Sequence, residues 1–192
     1  MSLAGPGPDN VAFGLEQWIT DNAGHFAPPV ANREVFPGGD FIFMVIRGPN
    51  ARSDFHIDPG DEIFHQLRGE VAVDLIIDGA VERHIVGPGD VLRVPAGVPH
   101  APHRPPETWG FVIERPRADD ERDQLLWLCE TCGREVRRVE FHVSDIEAQL
   151  AEALGTWNGD ETLRICPVGH SNPAPRPFTT SDLSEKPGPY LP

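Results

Sequence analysis

From Glu34 to Arg115 the apolar residues come in short runs separated by glycine- and proline-rich turns, the rhythm of strands rather than helices. Phe41–Arg47 is a near-continuous apolar run, as in a strand covered on both faces. Glu62–Arg68, Glu70–Ile77, Ala80–Val86, Asp90–Val94 and Trp109–Arg115 are further predicted strands, and Asp78-Gly79 between two of them predicts a hairpin. Strands at roughly this spacing predict an all-β sandwich or barrel. Before them, Leu15, Trp18 and Ile19 follow helical spacing up to Gly24, and Pro28-Pro29 breaks the chain. Residues 1–10 read as a loose tail.

After Pro116 the pattern changes. Ala118–Gln124 reads as a charged link and Glu135–Val143 as a strand. Ser144-x-x-Glu147 is a capping-box pattern opening a short amphipathic helix (Ile146, Leu150, Leu154) that Gly155 should end. Residues 171–192, with six prolines, predict a second tail, mobile or laid over the surface. The division expected is a barrel with a helical lead-in over 1–120, a metal knuckle and short helix appended over 121–170, and the tail.

A net charge of −14 argues against a nucleic-acid or anionic-membrane partner. Buried arginines therefore become informative, because an acidic protein that takes an anion needs local positive charge. No apolar stretch approaches a membrane span, and MSLAGPGPDN has no signal-peptide pattern. Three cysteines, two of them in a CxxC, fit a reducing cytoplasm and a metal site better than a disulfide framework.

The candidate chemistry lies in two segments. Asp54–Gly69 presents His56 and Glu62 around a turn, and Gly89–Arg104 presents His100. Two imidazoles and one carboxylate are the donor set of non-haem iron(II) oxygenases, which leave open positions on the metal. His25, His65, His84, His103 and His142 sit outside these patterns and are expected not to be ligands. His65 has the opposite strand parity to Glu62.

His56-x-Asp58-x3-Glu62-x6-Gly69 resembles the first cupin motif, and Gly89-x5-Pro95-x-Gly97-x2-His100 the second. The resemblance implies an all-β cupin double-stranded β-helix (a jelly-roll barrel) with a few short helices and the metal inside. Asp58 stands where many cupins have another histidine, so three ligands are expected. Arg52–Gly69, Pro95–Pro105, Val112–Arg115 and the CxxCG knuckle resemble the bacterial type of the 3-hydroxyanthranilate 3,4-dioxygenase family, over about residues 12–170. That resemblance implies Fe(II) on His56, Glu62 and His100. It implies substrate contacts from Arg52, Arg104 and Glu114, and an asparagine, Asn32, near the substrate or dioxygen. It implies that a small aromatic carboxylate is opened with dioxygen to 2-amino-3-carboxymuconate semialdehyde, Glu114 taking a proton.

Strand parity agrees with this assignment. Arg52 lies four residues before His56 and Arg104 four after His100, each on the face of its histidine. If the two strands are antiparallel, both arginines extend to one side of the metal. Bacterial members carry two CxxC pairs that hold a second iron. Here Cys129 and Cys132 form one pair, but Cys166 is followed by His170 in place of a second. Three thiolates and an imidazole can still hold a structural iron or zinc; otherwise Cys166 is a bystander. Readings that compete with the dioxygenase are the same chemistry on a ring-substituted analogue, another cupin enzyme, and a small-molecule-binding cupin. Cupins in general lead us to expect a homodimer.

Overall fold

The computed structural model describes residues 11–26 and 31–188; the expectations for residues 1–10 and Pro28-Pro29 lie outside these. Helix α1 (Leu15–Asn22) runs on as a 3-10 turn to His25 and buries Trp18 and Ile19, as their spacing predicts. The strands follow in chain order: β1 (Ala31–Glu34), β2 (Ile42–Arg47), β3 (Asp54–Ile57), β4 (Glu62–Arg68), β5 (Val71–Ile77), β6 (Ala80–Val86), β7 (Val91–Val94), β8 (His100–His103), β9 (Trp109–Glu114), β10 (Asp123–Leu128) and β11 (Glu135–Phe141). Helix α2 (Ile146–Gly159) comes after them.

They form two antiparallel sheets, ordered β1-β2-β9-β4-β7 and β11-β10-β3-β8-β5-β6. Phe64, Val94 and Val112 of the first sheet pack against Val71, Val73, Leu75 and Val86 of the second, so the sheets enclose a common interior. The outer face of the first sheet is covered by α1 through Trp18, Ile19, Val45 and Trp109. Asp78 (φ 49°) and Gly79 (φ 78°) both have positive φ, the backbone a two-residue type I′ hairpin needs, so the β5–β6 turn is the predicted one.

The structure corrects three expectations. Asp123 and Gln124 are not link but the start of β10, which pairs with β3. The segment after residue 120 thus adds two strands to the sheet that carries His56. The cap of α2 is Asp145, whose Oδ1 accepts from the Ala148 amide at 3.0 Å; Glu147 instead pairs with Arg33 at 2.8 Å and takes the Glu34 amide. The helix continues through Gly155 because Trp157 stacks on Trp127, ring centroids 5.0 Å apart. That burial outweighs the roughly 1 kcal/mol a mid-helix glycine costs.

Of the two readings left open for the C-terminal tail, its described part is the one laid over the surface. Phe178 stacks on His103 with centroids 5.1 Å apart, and Arg83 donates to the carbonyls of Asp182 and Glu185. Among the described residues no helix is long and apolar enough to cross a membrane.

Candidate active site

β3 and β8 are antiparallel with His56 opposite His100, and Glu62 enters from the facing sheet at the start of β4. In β4 burial does not follow hydropathy: polar Glu62 and Gln66 point inward on either side of Phe64, while Ile63 is exposed. Glu62 Oε1 lies 3.2 Å from His56 Nδ1 and 3.0 Å from His100 Nε2. That oxygen is buried without a well-aligned hydrogen bond. Two ring nitrogens and a carboxylate oxygen converging on one point, buried together, fit a divalent metal. Burial opposes charge on the His56 ring, but hydrogen bonds to Asp123 and Glu62 outweigh it and raise its pKa to about 10. On Glu62 the neighbouring histidines outweigh burial and hold its carboxyl well below the usual range.

Arg52, Asn32 and Glu114 line the same cavity, closed by Met44 and Ile46 of β2, Val112 of β9 and Ile146 and Leu150 of α2. Its volume is about 40 Å³, against several hundred, roughly, for typical small-molecule sites. Admitting an aromatic ring therefore requires these side chains to shift. The Asn32 amide oxygen is buried without a donor.

The antiparallel register directs Arg52 and Arg104 to the same end, and the two guanidiniums are close enough to repel. Their partners differ. Arg52 Nε donates to Asp54 Oδ1 at 2.9 Å, a resident counter-ion that the sequence reading did not assign. Arg104 is 2% exposed and stands beside the cavity wall rather than among its lining residues. Among the described residues the acceptor within reach of its head is Gln66 Oε1, at 3.4 Å, and its Nε has none. Burial, then the Arg52 charge, lower the Arg104 pKa to about 10.

Glu114 does not pair with either arginine, as the sequence reading allowed. Its carboxylate accepts from Arg117 Nη2 at 2.9 Å, and the same guanidinium reaches Asp58 at 2.8 Å and Asp123 at 2.6 Å. Burial first, then the Glu62 charge and the Asp58 hydrogen bond, push the Glu114 pKa well above the carboxylate range. A cation bound to Glu62 opposes that push. Arg117 and Asp123 were missed because they sit in a charged run that reads as solvated. Their one signal was Asp123 standing two residues before Leu125, at the edge of an apolar run.

A second cluster lies away from the barrel interior. Cys129 Sγ is 3.5 Å from His170 Nδ1, Cys132 Sγ is 3.6 Å from Cys166 Sγ, and the four donor atoms lie within 4.8 Å of one another. The two halves are built alike. Gly133 N donates to Cys129 O and Gly169 N to Cys166 O, both at 2.8 Å, each glycine with positive φ. Burial would raise the Cys129 thiol, but amide hydrogen bonds and His170 lower its pKa to about 6. His65 packs against Phe111 with the rings tilted by 43°, and His103 pairs with Asp74, so neither joins a metal cluster.

Two antiparallel sheets closed around an inward-facing His, His, Glu set, a candidate metal centre, are the arrangement of a cupin-class protein. Residues 9–158 match the model of the family described as 3-hydroxyanthranilic acid dioxygenase. A 3-hydroxyanthranilate 3,4-dioxygenase of Bacillus thuringiensis (strain Al Hakam) is 43% identical over 164 residues, covering 84% of this chain and 92% of that protein. One from Burkholderia cenocepacia is 39% identical over 156 residues (81% and 88%), and one from Scheffersomyces stipitis is 36% identical over 152 (79% and 89%). The chain belongs to the 3-hydroxyanthranilic acid dioxygenase family, whose members are non-haem iron enzymes.

Proposed function

We propose that this chain opens the ring of 3-hydroxyanthranilate with dioxygen, using Fe(II) held by His56, Glu62 and His100. The observation that carries the reading is Arg104, a buried guanidinium with no carboxylate partner among the described residues, beside the cavity that holds the three donors. A buried cation without a counter-ion is costly, and an anionic ligand relieves the cost. The substrate carboxylate is assigned to Arg104, with Arg52 adding positive charge from its pair with Asp54. The Asn32 amide oxygen is free to accept from the substrate's amine or hydroxyl. Glu114 takes the proton that the hydroxyl or amine loses: burial makes its carboxylate a stronger base, and a cation on Glu62 would favour the ionised form that the role needs. Met44, Ile146 and Leu150 exclude water. Iron supplies the one-electron chemistry that lets triplet dioxygen react with a singlet ring; zinc cannot. The carbon bearing the hydroxyl parts from its unsubstituted ring neighbour, and both oxygen atoms enter the product.

The cysteine cluster is assigned a structural iron or zinc. It ties residues 165–172 to the end of β10, where Asn172 also donates to Leu128 O and accepts from the Glu130 amide. A homodimer is proposed through the part of the first sheet's outer face that α1 leaves open, at Ile63 of β4 (40% exposed) and Phe41, just before β2 (65% exposed).

The test is anaerobic loading with Fe(II), then 3-hydroxyanthranilate in air. Oxygen uptake equal to substrate loss, with a new near-ultraviolet product band, is expected. No uptake by iron-loaded protein would overturn the reading in favour of a binding cupin. Turnover of ring-substituted analogues but not the parent would reassign the substrate.

A further inference from the structure

The two histidines are held by different means. His100 Nδ1 lies 3.1 Å from the carbonyl of Val98, leaving Nε2 toward Glu62. His56 is turned the other way: its Nδ1 faces Glu62, and its Nε2 lies 2.7 Å from Asp123 Oδ2. The sheet register explains this. Leu125 of β10 is opposite His56, so Asp123, two residues earlier, shares the face of the imidazole. Asp123 is itself fully buried and gripped at both oxygens, by Arg117 Nε on Oδ1 at 2.7 Å and Arg117 Nη2 on Oδ2 at 2.6 Å. Arg117 Nη1 is anchored on Arg115 O at 2.7 Å, and Nη2 also holds Glu114.

We propose that Asp123 is the positioning residue of His56: by accepting its Nε2–H it fixes the tautomer that aims the Nδ1 lone pair at the metal, while Arg117 fixes Asp123 and links it to Glu114. A carboxylate behind a ligand imidazole sets ring orientation and strengthens the ring nitrogen as a donor. With every Asp123 lone pair that faces a donor in use, the carboxylate cannot turn away, and neither can the ring. An amide at position 123 must set its NH2 against Arg117 Nε or against both Arg117 Nη2 and His56, so Asp123→Asn breaks the arrangement with no change of size. The assignment rests on the metal role given to His56, Glu62 and His100, not on the identity of the substrate.

Two measurements test it without turnover. In zinc-loaded protein labelled with nitrogen-15 at histidine, His56 should show a metal-bound Nδ1 and a protonated, hydrogen-bonded Nε2. A ring protonated on Nδ1 overturns the proposal with no variant needed. Second, Co(II) titration of the apo protein reads both metal clusters at once, the thiolate site through its charge-transfer bands. Asp123→Asn should weaken Co(II) at the histidine site about 10- to 100-fold, with the thiolate site unchanged as the internal control for folding. Equal affinity in Asp123→Asn and the parent would overturn the proposal. If that variant loses the thiolate site too, the tautomer measurement on the parent decides. Metal binding without dioxygenase activity would count against the proposed reaction and leave this inference standing.

Discussion

Replacing Arg104 by methionine should make the metal-loaded protein more stable and its substrate binding far weaker. The guanidinium is buried, and its nearest acceptor is a neutral amide oxygen at 3.4 Å. Its pKa falls from 12.5 to about 10, first through burial and then through Arg52. At about 1.4 kcal/mol for each tenfold change in proton affinity, holding the charge costs about 3 kcal/mol in the folded state. A base whose folded pKa is depressed destabilises the fold at every pH below that value, so at neutral pH the whole cost is present. Methionine fills much of the space and removes the charge, and buried charges exchanged for apolar isosteres behave this way. In a chain of this size the gain should appear as a rise in Tm of up to about 6–12 °C. Losing a buried carboxylate partner removes about 2–4 kcal/mol of binding, roughly a 30- to 1000-fold rise in KM. The assays are thermal unfolding without substrate and steady-state oxygen uptake. A fall in Tm with KM unchanged would refute the reasoning, because Arg104 would then be a structural cation satisfied within the protein.

Four further outcomes follow from the same geometry. Glu114→Gln should lower kcat about 100- to 10,000-fold with iron content by elemental analysis unchanged; a normal kcat would remove the proton-acceptor role. Cys166→Ser should lower bound metal from two ions per chain to one and reduce Tm, leaving His56, Glu62 and His100 loaded; two ions in the variant would exclude the cysteine cluster. On Asp74, burial is outweighed by hydrogen bonds from Arg83 and His103, so its pKa is lowered. Its contribution to stability is present above the unfolded value near 3.8 and is lost as pH falls through the folded value. Asp74→Asn should therefore cost stability at pH 7 and nothing at the acid extreme, and a loss independent of pH would contradict the pairing. Ile63→Arg should convert a dimer to a monomer by light scattering, and an unchanged mass would place the interface elsewhere.

The strands that sequence pattern reveals are those rich in apolar residues and bounded by turn signals. β4, β5 and β6 were legible because Phe64, Val71, Val73, Leu75 and Val86 fall in such runs and Asp78-Gly79 marks the hairpin between the last two. β3 and β8 were not, because their inward positions carry Asp54, His56, His100 and Pro102. Polar residues there remove the hydrophobic signal that marks a strand, and motif spacing alone located them. β1 and β10 were obscured for a related reason, since Asn32 and Asp123 face inward. His56, Glu62 and His100 could be read from spacing within two segments. The Arg117 contacts span three separate strands or their ends, and no local pattern encodes a partner that tertiary folding alone supplies.

The distribution of charge around the three donors supports a divalent ion over a neutral site. Asp54 and Arg52 balance each other, and Arg104 stands against no carboxylate. The one guanidinium of Arg117 faces Asp58, Glu114 and Asp123, while Glu62 lies against the two imidazoles on one side and the like charges of Asp58 and Glu114 on the other. Among these side chains, five carboxylates (Asp54, Asp58, Glu62, Glu114 and Asp123) stand against three guanidiniums (Arg52, Arg104 and Arg117), so with Glu114 ionised the acids exceed the bases by two charges, the deficit that a divalent cation at Glu62 would fill. The excess is not spread evenly: the carboxylates gather at Arg117 and Glu62, and the unpaired cation lies at the other end. A ligand that chelates the metal and also carries a carboxylate would lie along that gradient, its acidic hydroxyl toward Glu114 and its anion toward Arg104. A ligand lacking the carboxylate would leave Arg104 buried and unpaired, and the site would discriminate against it by the 2–4 kcal/mol, roughly, assigned to that pair.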